Sequence, residues 1–185
     1  RAMPCWDLMP ATHSDGRAIR RPIAWFMLAG LVAVATIGAV GFGIARQVST
    51  DQAIRNARDL TEADAHSVQS LLTDGVVAGN RSERHALNHA LRDRVLSSRV
   101  VRVKVWADDG RVVASDLRAL AGTQFRLRAE EQRVLRAGGV DAEASDLARP
   151  ENAHERRFGK LLEVYVGTHT TTGTPLLFEA YVRYD

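Results

Sequence analysis

Hydrophobic and polar positions alternate with short periods along most of this chain, but residues 23–45 break the rule, carrying no charged residue and no Asn, Gln or Pro. At a helical rise of about 1.5 Å per residue the run spans about 34 Å, enough to cross a hydrocarbon core of about 30 Å, so it reads as a transmembrane helix. From residue 46 to about 78 the period becomes helical. Ile54, Ala57, Leu60, Ala63, Val68, Leu71 and Leu72 recur at mostly three- and four-residue steps, with no proline and no glycine before Gly75. This pattern predicts one long amphipathic helix. Arg46-Gln47-Val48 contains nothing that stops a helix, so the span is expected to run on into it. Gly79-Asn80 breaks the chain, and Ser82 with Glu83 and Arg84 opens a second helix, apolar at Leu87, Leu91, Val95 and Leu96, to about Ser98.

The period then shortens to two. Val101, Val103 and Val105 alternate with Arg102, Lys104 and Trp106, the mark of a strand with one buried face. Asp109-Gly110 predicts a tight type I′ turn into a partner strand over 111–115. A short helix is expected over 130–136, ending at Gly138-Gly139. A strand over 140–147 follows, then an exposed connection at Arg149-Pro150-Glu151-Asn152. Two long strands, 160–170 and 175–184, close the chain around a turn at Thr172-Gly173-Thr174. Long helices before about five antiparallel strands predict an α+β domain whose N-terminal helix covers one sheet face.

The pattern therefore divides the chain into a tail (1–22), a membrane helix (23–45) and a single domain (46–185), the last of a common domain size. Charge adds orientation. The tail carries +2 of the formal +3, leaving +1 downstream, where basic and acidic residues are interspersed, so the pI of about 9.5 gives no support for nucleic-acid binding. Arg17, Arg20 and Arg21 precede the span with Asp15 their only nearby acid, which places the tail in the cytoplasm and the domain outside. Arg20-Arg21 is read as a topology determinant in preference to a twin-arginine export signal. Gly43-Ile44-Ala45 has the small residues of a signal-peptidase site, but the run exceeds the 7–15 residues usual for a cleaved signal, which favours a retained anchor. Cys5, the one cysteine, lies in the tail, so the outer domain can hold neither a disulfide nor a thiolate metal site. The chain opens on Arg and closes as a strand is barely complete, so a fragment is expected whose parent re-enters the membrane after Asp185.

Candidate chemistry is sparse. His85 and His89 have the spacing that lets two imidazoles share a metal, but no third ligand is nominated, and two solvated histidines are the commoner arrangement. Ala86 and Leu87 stand where a metalloprotease motif needs its general base. His154-Glu155-Arg156 resembles a phosphoacceptor segment only superficially, since Pro150 before it and Gly159 after it leave no long helix. No phosphate loop or nucleophile elbow occurs, so neither an enzyme nor a cofactor is expected. Arg102 and Lys104 on the polar face of the first strand, with His154, Arg156 and Lys160 before a later one and Trp106 as a wall, would receive a small anion if the sheet curved around a pocket. A solvated sheet face is the commoner outcome for such residues. Ala35, Ala39 and Gly43 give the span a small-residue stripe that suits a parallel homodimer.

Val103-Lys104-Val105-Trp106, Asp109-Gly110-Arg111-Val112 and Ser115-Asp116 resemble the sensor region of membrane-bound two-component histidine kinases of actinomycete type. So do Ser145-Asp146-Leu147, Arg149-Pro150-Glu151-Asn152, Glu155-Arg156, the segment from Gly159-Lys160 to Tyr165-Val166, Leu177-Phe178-Glu179-Ala180-Tyr181 and Tyr184-Asp185. The resemblance covers residues 23–185 and is most specific in the last third. It implies a PAS-like or Cache domain, a long helix packed on a five-stranded antiparallel sheet between two membrane spans. It also implies that a HAMP linker, a dimerisation domain and an ATP-binding domain belong to a parent. The expected function is that of an extracytoplasmic input module at the cell membrane, responding to an unidentified small ligand or envelope stimulus. A membrane-anchored binding or scaffold protein, complete as it stands, is the alternative.

Overall fold

The computed structural model describes residues 16–184, and the side chains of 25–42 and 50–184. The expectations for Cys5, Asp15 and Asp185 lie outside the described residues, as do those for the side chains of Arg17, Arg20, Arg21 and Gly43-Ile44-Ala45. The chain divides into two compact units, Arg1–Val48 and Ser49–Asp185.

In the first unit, Trp25–Phe42 is helical and long and apolar enough to cross a membrane. Its large side chains, among them Phe26, Leu31 and Ile37, are exposed. An all-round apolar helix surface of this kind suits a lipid environment. Helix α1, assigned over Gly16–Ser67, has its last turns in the second unit. There Ala57, Thr61 and Ala65 are buried, a helical stripe at four-residue steps that Val68, just past the helix, continues.

The helix ends at Ser67 and not near residue 78, because tertiary contacts intervene. Thr73, extended at φ −112°, accepts a hydrogen bond from Val76 N and caps a new short helix, α2 (Asp74–Val77). Thr171 N donates to the Leu72 carbonyl (2.8 Å), and the hydroxyls of Thr170, Thr172 and Thr174 all donate to the Asp74 carboxylate. These bonds hold Asp74 below the usual carboxylate range. The apolar periodicity outlasts the helix because Leu72 and Val76 still face the core. Asn80, not Ser82, starts α3 (Arg81–Ala90), its side chain accepting from Ser82 N and Glu83 N. A π-helical turn over Leu91–Val95 completes that element.

Strands β1 (Val100–Trp106), β2 (Val112–Ser115), β3 (Gly139–Ala144), β4 (Leu161–His169) and β5 (Pro175–Arg183) form one antiparallel sheet in the order β2-β1-β5-β4-β3. The chain is thus α+β with a five-stranded antiparallel sheet. The β1–β2 connection is longer than a type I′ turn. Gly110 N donates to the Ala107 carbonyl and Ala107 N to that of Arg111, leaving Gly110 as the left-handed residue of a three-residue loop (φ +81°). A Cβ on Gly110 would also stand 2.1 Å from the Phe125 carbonyl oxygen. Helix α4 (Ala129–Ala137) follows β2 and stops at Gly138 (φ +77°). Its last turn lies against β4 at Gly167, where a Cβ would meet the Val134 carbonyl oxygen at 2.2 Å.

Side chains alternate across the sheet. One face carries Val103 and Val105 of β1, Leu162, Val164 and Val166 of β4, and Phe178, Ala180 and Val182 of β5. These join the buried residues of α1 and α3 in the main apolar core. The opposite face carries Arg102, Lys104, Trp106, Glu163, Tyr165, Leu177, Glu179 and Tyr181, and it is buried as well.

Candidate functional site

Strand register builds the second face. Lys104 of β1 pairs with Glu179 of β5, which pairs with Tyr165 of β4, which pairs with Asp141 of β3. The next row runs Arg102, Tyr181, Glu163, Glu143. Lys104 thus faces Glu179 at the spacing of directly paired residues, while the like-charged pair Glu163 and Glu143 is bridged by Arg128. The cover comes from residues 116–160. Toward Trp106 and Leu177 it is apolar, with Leu120, Leu127, Val134 and Leu135 in a second cluster. Toward Arg102 it is polar, supplied by 3₁₀ turns at Pro150–Asn152 and Arg156–Phe158 and by Glu155 between them.

Lys104, fully buried, spends all three ammonium hydrogens internally, on the Glu151 carbonyl (3.0 Å), Asn152 Oδ1 (3.3 Å) and Tyr181 Oη (2.8 Å). Its ammonium also lies 4.4 Å from the Tyr181 ring centroid. Arg102 Nε donates to Glu155 Oε1 (2.6 Å) and Nη1 to Asp116, whose other oxygen accepts from Val103 N (2.8 Å). Asn152 is oriented by its amide, which donates to the Asp146 carbonyl (2.9 Å) and Glu163 Oε1 (2.6 Å), so Oδ1 faces Lys104 and Tyr181. Glu163 also accepts from Ser145 (2.5 Å) and Tyr165 (2.6 Å). Trp106 Nε1 donates to Glu179 Oε2 (2.7 Å). Glu155 Oε2 accepts no hydrogen bond and lies 3.9 Å from Lys104 Nζ.

A second knot adjoins the first. Arg128 donates to Glu131 (2.8 Å), Glu143 and Tyr165 Oη (3.0 Å), while Arg149 donates to Glu131 (3.0 Å) and pairs with Glu151. Burial pushes Glu131 up, but the Arg128 backbone N–H and the Arg149 and Arg128 guanidiniums outweigh it and hold the carboxyl below its ordinary value. Burial pushes Glu179 up to about 7; Glu163 reinforces the shift and Lys104 opposes it. Burial raises Asp116 despite the Val103 and Arg102 contacts. Tyr165 and Tyr181 are raised by burial and by the neighbouring carboxylates.

Of the sequence-nominated residues, Arg102, Lys104 and Trp106 come together on this face, buried and bonded internally. His154, Arg156 and Lys160 do not join them: all three are exposed, and Arg156 binds the carbonyls of Leu147 (2.7 Å) and Ala148 (3.0 Å). The face is buried where the pattern predicts a solvated one. Glu151 and Asn152, read as an exposed connection, are buried lids over Lys104. Sequence reasoning passed over Glu179, Tyr181, Asn152, Glu155 and Asp116. The available signal was the alternation Leu177-Glu179-Tyr181, a half-polar strand matching that of β1 in period and opposite in charge.

Between the two knots lies a cavity of about 10 Å³, lined by Trp106, Glu131, Arg149, Tyr165 and Glu179 among others and large enough for about one water. An open groove of about 420 Å³ runs beside α3, where His85 and His89 are found with Leu71 and Asp93. His89 Nδ1 lies 2.7 Å from Asp93. Among the described residues no group of three or more His, Cys, Asp or Glu is placed to hold a metal ion.

No protein-family model matches the chain, and no curated protein is significantly similar to it in sequence.

Proposed function

We propose that the chain is the input module of a membrane-bound two-component sensor kinase, with residues 1–22 cytoplasmic, 23–45 in the membrane and a PAS-like or Cache domain outside. The observation that carries the reading is helix α1. It runs over Gly16–Ser67, holds an exposed apolar stretch at Trp25–Phe42 and gives Ala57 and Ala65 to the domain core. A stimulus that favours one packing of those residues is thereby coupled to the membrane segment, provided it stabilises the two packings unequally. A parallel homodimer through Ala35, Ala39 and Gly43 would give the shift a partner helix to act on. Kinase activity would reside in a longer parent.

Two experiments test this. Protease added to spheroplasts should cut near Arg81 or Arg156, both exposed; protection of both sites would invert the topology. The chain should also replace the input region of a characterised kinase and make its reporter respond to one of a panel of external pH values, divalent metals or small carboxylates. Ala57→Pro, which breaks the helix at a buried position, should abolish that response while the chimera stays in the membrane. A constant reporter under every condition would remove the sensor reading.

A further inference from the structure

The buried face contains one more oxygen–oxygen contact than its visible hydrogens can fill. Tyr181 Oη lies 2.5 Å from Asn152 Oδ1 and 2.6 Å from Glu179 Oε1, and accepts from Lys104 Nζ at 2.8 Å. Asn152 presents only its carbonyl oxygen there, because its amide is committed to Asp146 and Glu163. The tyrosine has a single hydroxyl hydrogen. Given to Asn152, it leaves two bare oxygens between Tyr181 and Glu179; given to Glu179, it leaves them between Tyr181 and Asn152. Lys104 cannot supply the deficit, since all three of its hydrogens point elsewhere in the knot.

We infer that Glu179 is a proton-binding site: its carboxyl carries a proton on Oε1 and donates it to Tyr181, which donates its own to Asn152. Every contact is then filled in one direction, Lys104 and Glu179 into Tyr181, Tyr181 into Asn152, and Trp106 into the carbonyl-like Oε2 of Glu179. A neutral carboxylic acid also removes a charge from a place where Glu155 already lies against both Lys104 and Arg102, and Asp116 against Arg102. The groups facing Glu179 are Lys104 from β1, Glu163 and Tyr165 from β4, Tyr181 on its own strand, and Glu151 from the covering connection. Across the small cavity stand Glu131 of α4 and the cations Arg126 and Arg149.

Loss of the proton has a mechanical consequence. An ionised Glu179 competes for the Tyr181 hydrogen, and Asn152 then loses one of the bonds that tie the 150–158 connection to the sheet, leaving those from Lys104, Arg102 and Glu163. Burial already places the titration near neutrality, at about 7. The folded-state value lies above the ordinary 4.5, so the stability Glu179 contributes is complete below about 4.5 and is lost as pH rises through about 7. A role for this proton as the external stimulus would rest on the sensor reading, whereas the protonation does not, so the reporter and spectroscopic experiments fail separately.

The test is infrared difference spectroscopy on the full chain in detergent micelles with 13C-labelled glutamate. A protonated-carboxyl C=O band sensitive to the label should be present at about pH 6, vanish by about pH 9, and be missing in Glu179→Gln at both. Hydrogen-exchange protection over 150–158, taken relative to the intrinsic rate at each pH, should fall across the same range in the unaltered chain and stay constant in Glu179→Gln, whose amide can donate to Tyr181 as the acid does. Tyr181→Phe, which deletes the acceptor, should shift the band, and it serves as the second variant should Glu179→Gln fail to fold. No labelled band at about pH 6, a band untouched by both substitutions, or protection over 150–158 that does not change with pH would overturn the assignment.

Discussion

The two faces of the sheet are equally hidden from water but are stabilised in different ways. On one, Val103, Val105, Val164, Phe178 and Ala180 lose apolar surface to the helices, a contribution that is non-directional and grows with the area removed. On the other, Arg102, Lys104, Glu163 and Glu179 each lose hydration that only correctly aimed partners replace. The apolar face tolerates changes of shape within limits of volume, and proton concentration does not touch it. The charged face depends on the count and direction of its hydrogens, which makes it the one able to register a chemical change. That contrast is why the proton-binding site is proposed on this face and not in the larger core.

The contrast is broken most severely by removing a cation from the charged face. Lys104→Met should cost about 3–5 kcal/mol, because Glu179, Glu155 and the Glu151 carbonyl are left buried without their partner. Chemical denaturation of the full chain in micelles measures it, and a loss below about 1 kcal/mol would mean that water reaches the face. Leu176→Ala, on the apolar side, should cost about 2–5 kcal/mol by cavity formation. The pair is sharpened by pH: the Leu176→Ala loss should be the same at about pH 6 and pH 9, while the Lys104→Met loss should change as Glu179 ionises. Equal pH dependence in both variants would erase the distinction between the faces.

Much of the architecture was legible because it follows from periodicity. The change from three- and four-residue steps to alternation at Val101, and the Gly138-Gly139 and Thr172-Gly173 breaks, fall within a few residues of the observed boundaries. The helix end at Ser67 was not legible, since Leu71, Leu72 and Val76 keep the apolar rhythm and the break is imposed by three threonines about a hundred residues away. The charged face was half legible. Alternation marks Arg102 and Lys104 as sharing a side of β1, but which side is wet depends on whether a later segment covers it. That cover, with Glu151, Asn152 and Glu155, is irregular backbone with no period to read. The pairing of the first strand with the last, which sets Lys104 against Glu179, is a non-local fact that neither segment announces.

The smallest effect separates two arginines that the sequence places in one candidate group. Arg102 is buried, with its guanidinium held between Glu155 and Asp116, whereas Arg156 is exposed and donates to two loop carbonyls. Water can replace the bonds of Arg156 when it is truncated, and the two carbonyls stay solvated, so Arg156→Ala should cost about 1 kcal/mol or less. The same truncation at Arg102 leaves two buried carboxyl groups facing an empty site, where solvent has no comparable access. Thermal unfolding of both variants under one condition makes the comparison. Were Arg156→Ala to destabilise the chain as strongly as Arg102→Ala, the Arg156 bonds to the Leu147 and Ala148 carbonyls would hold the 150–158 connection as firmly as the buried Arg102 contacts do.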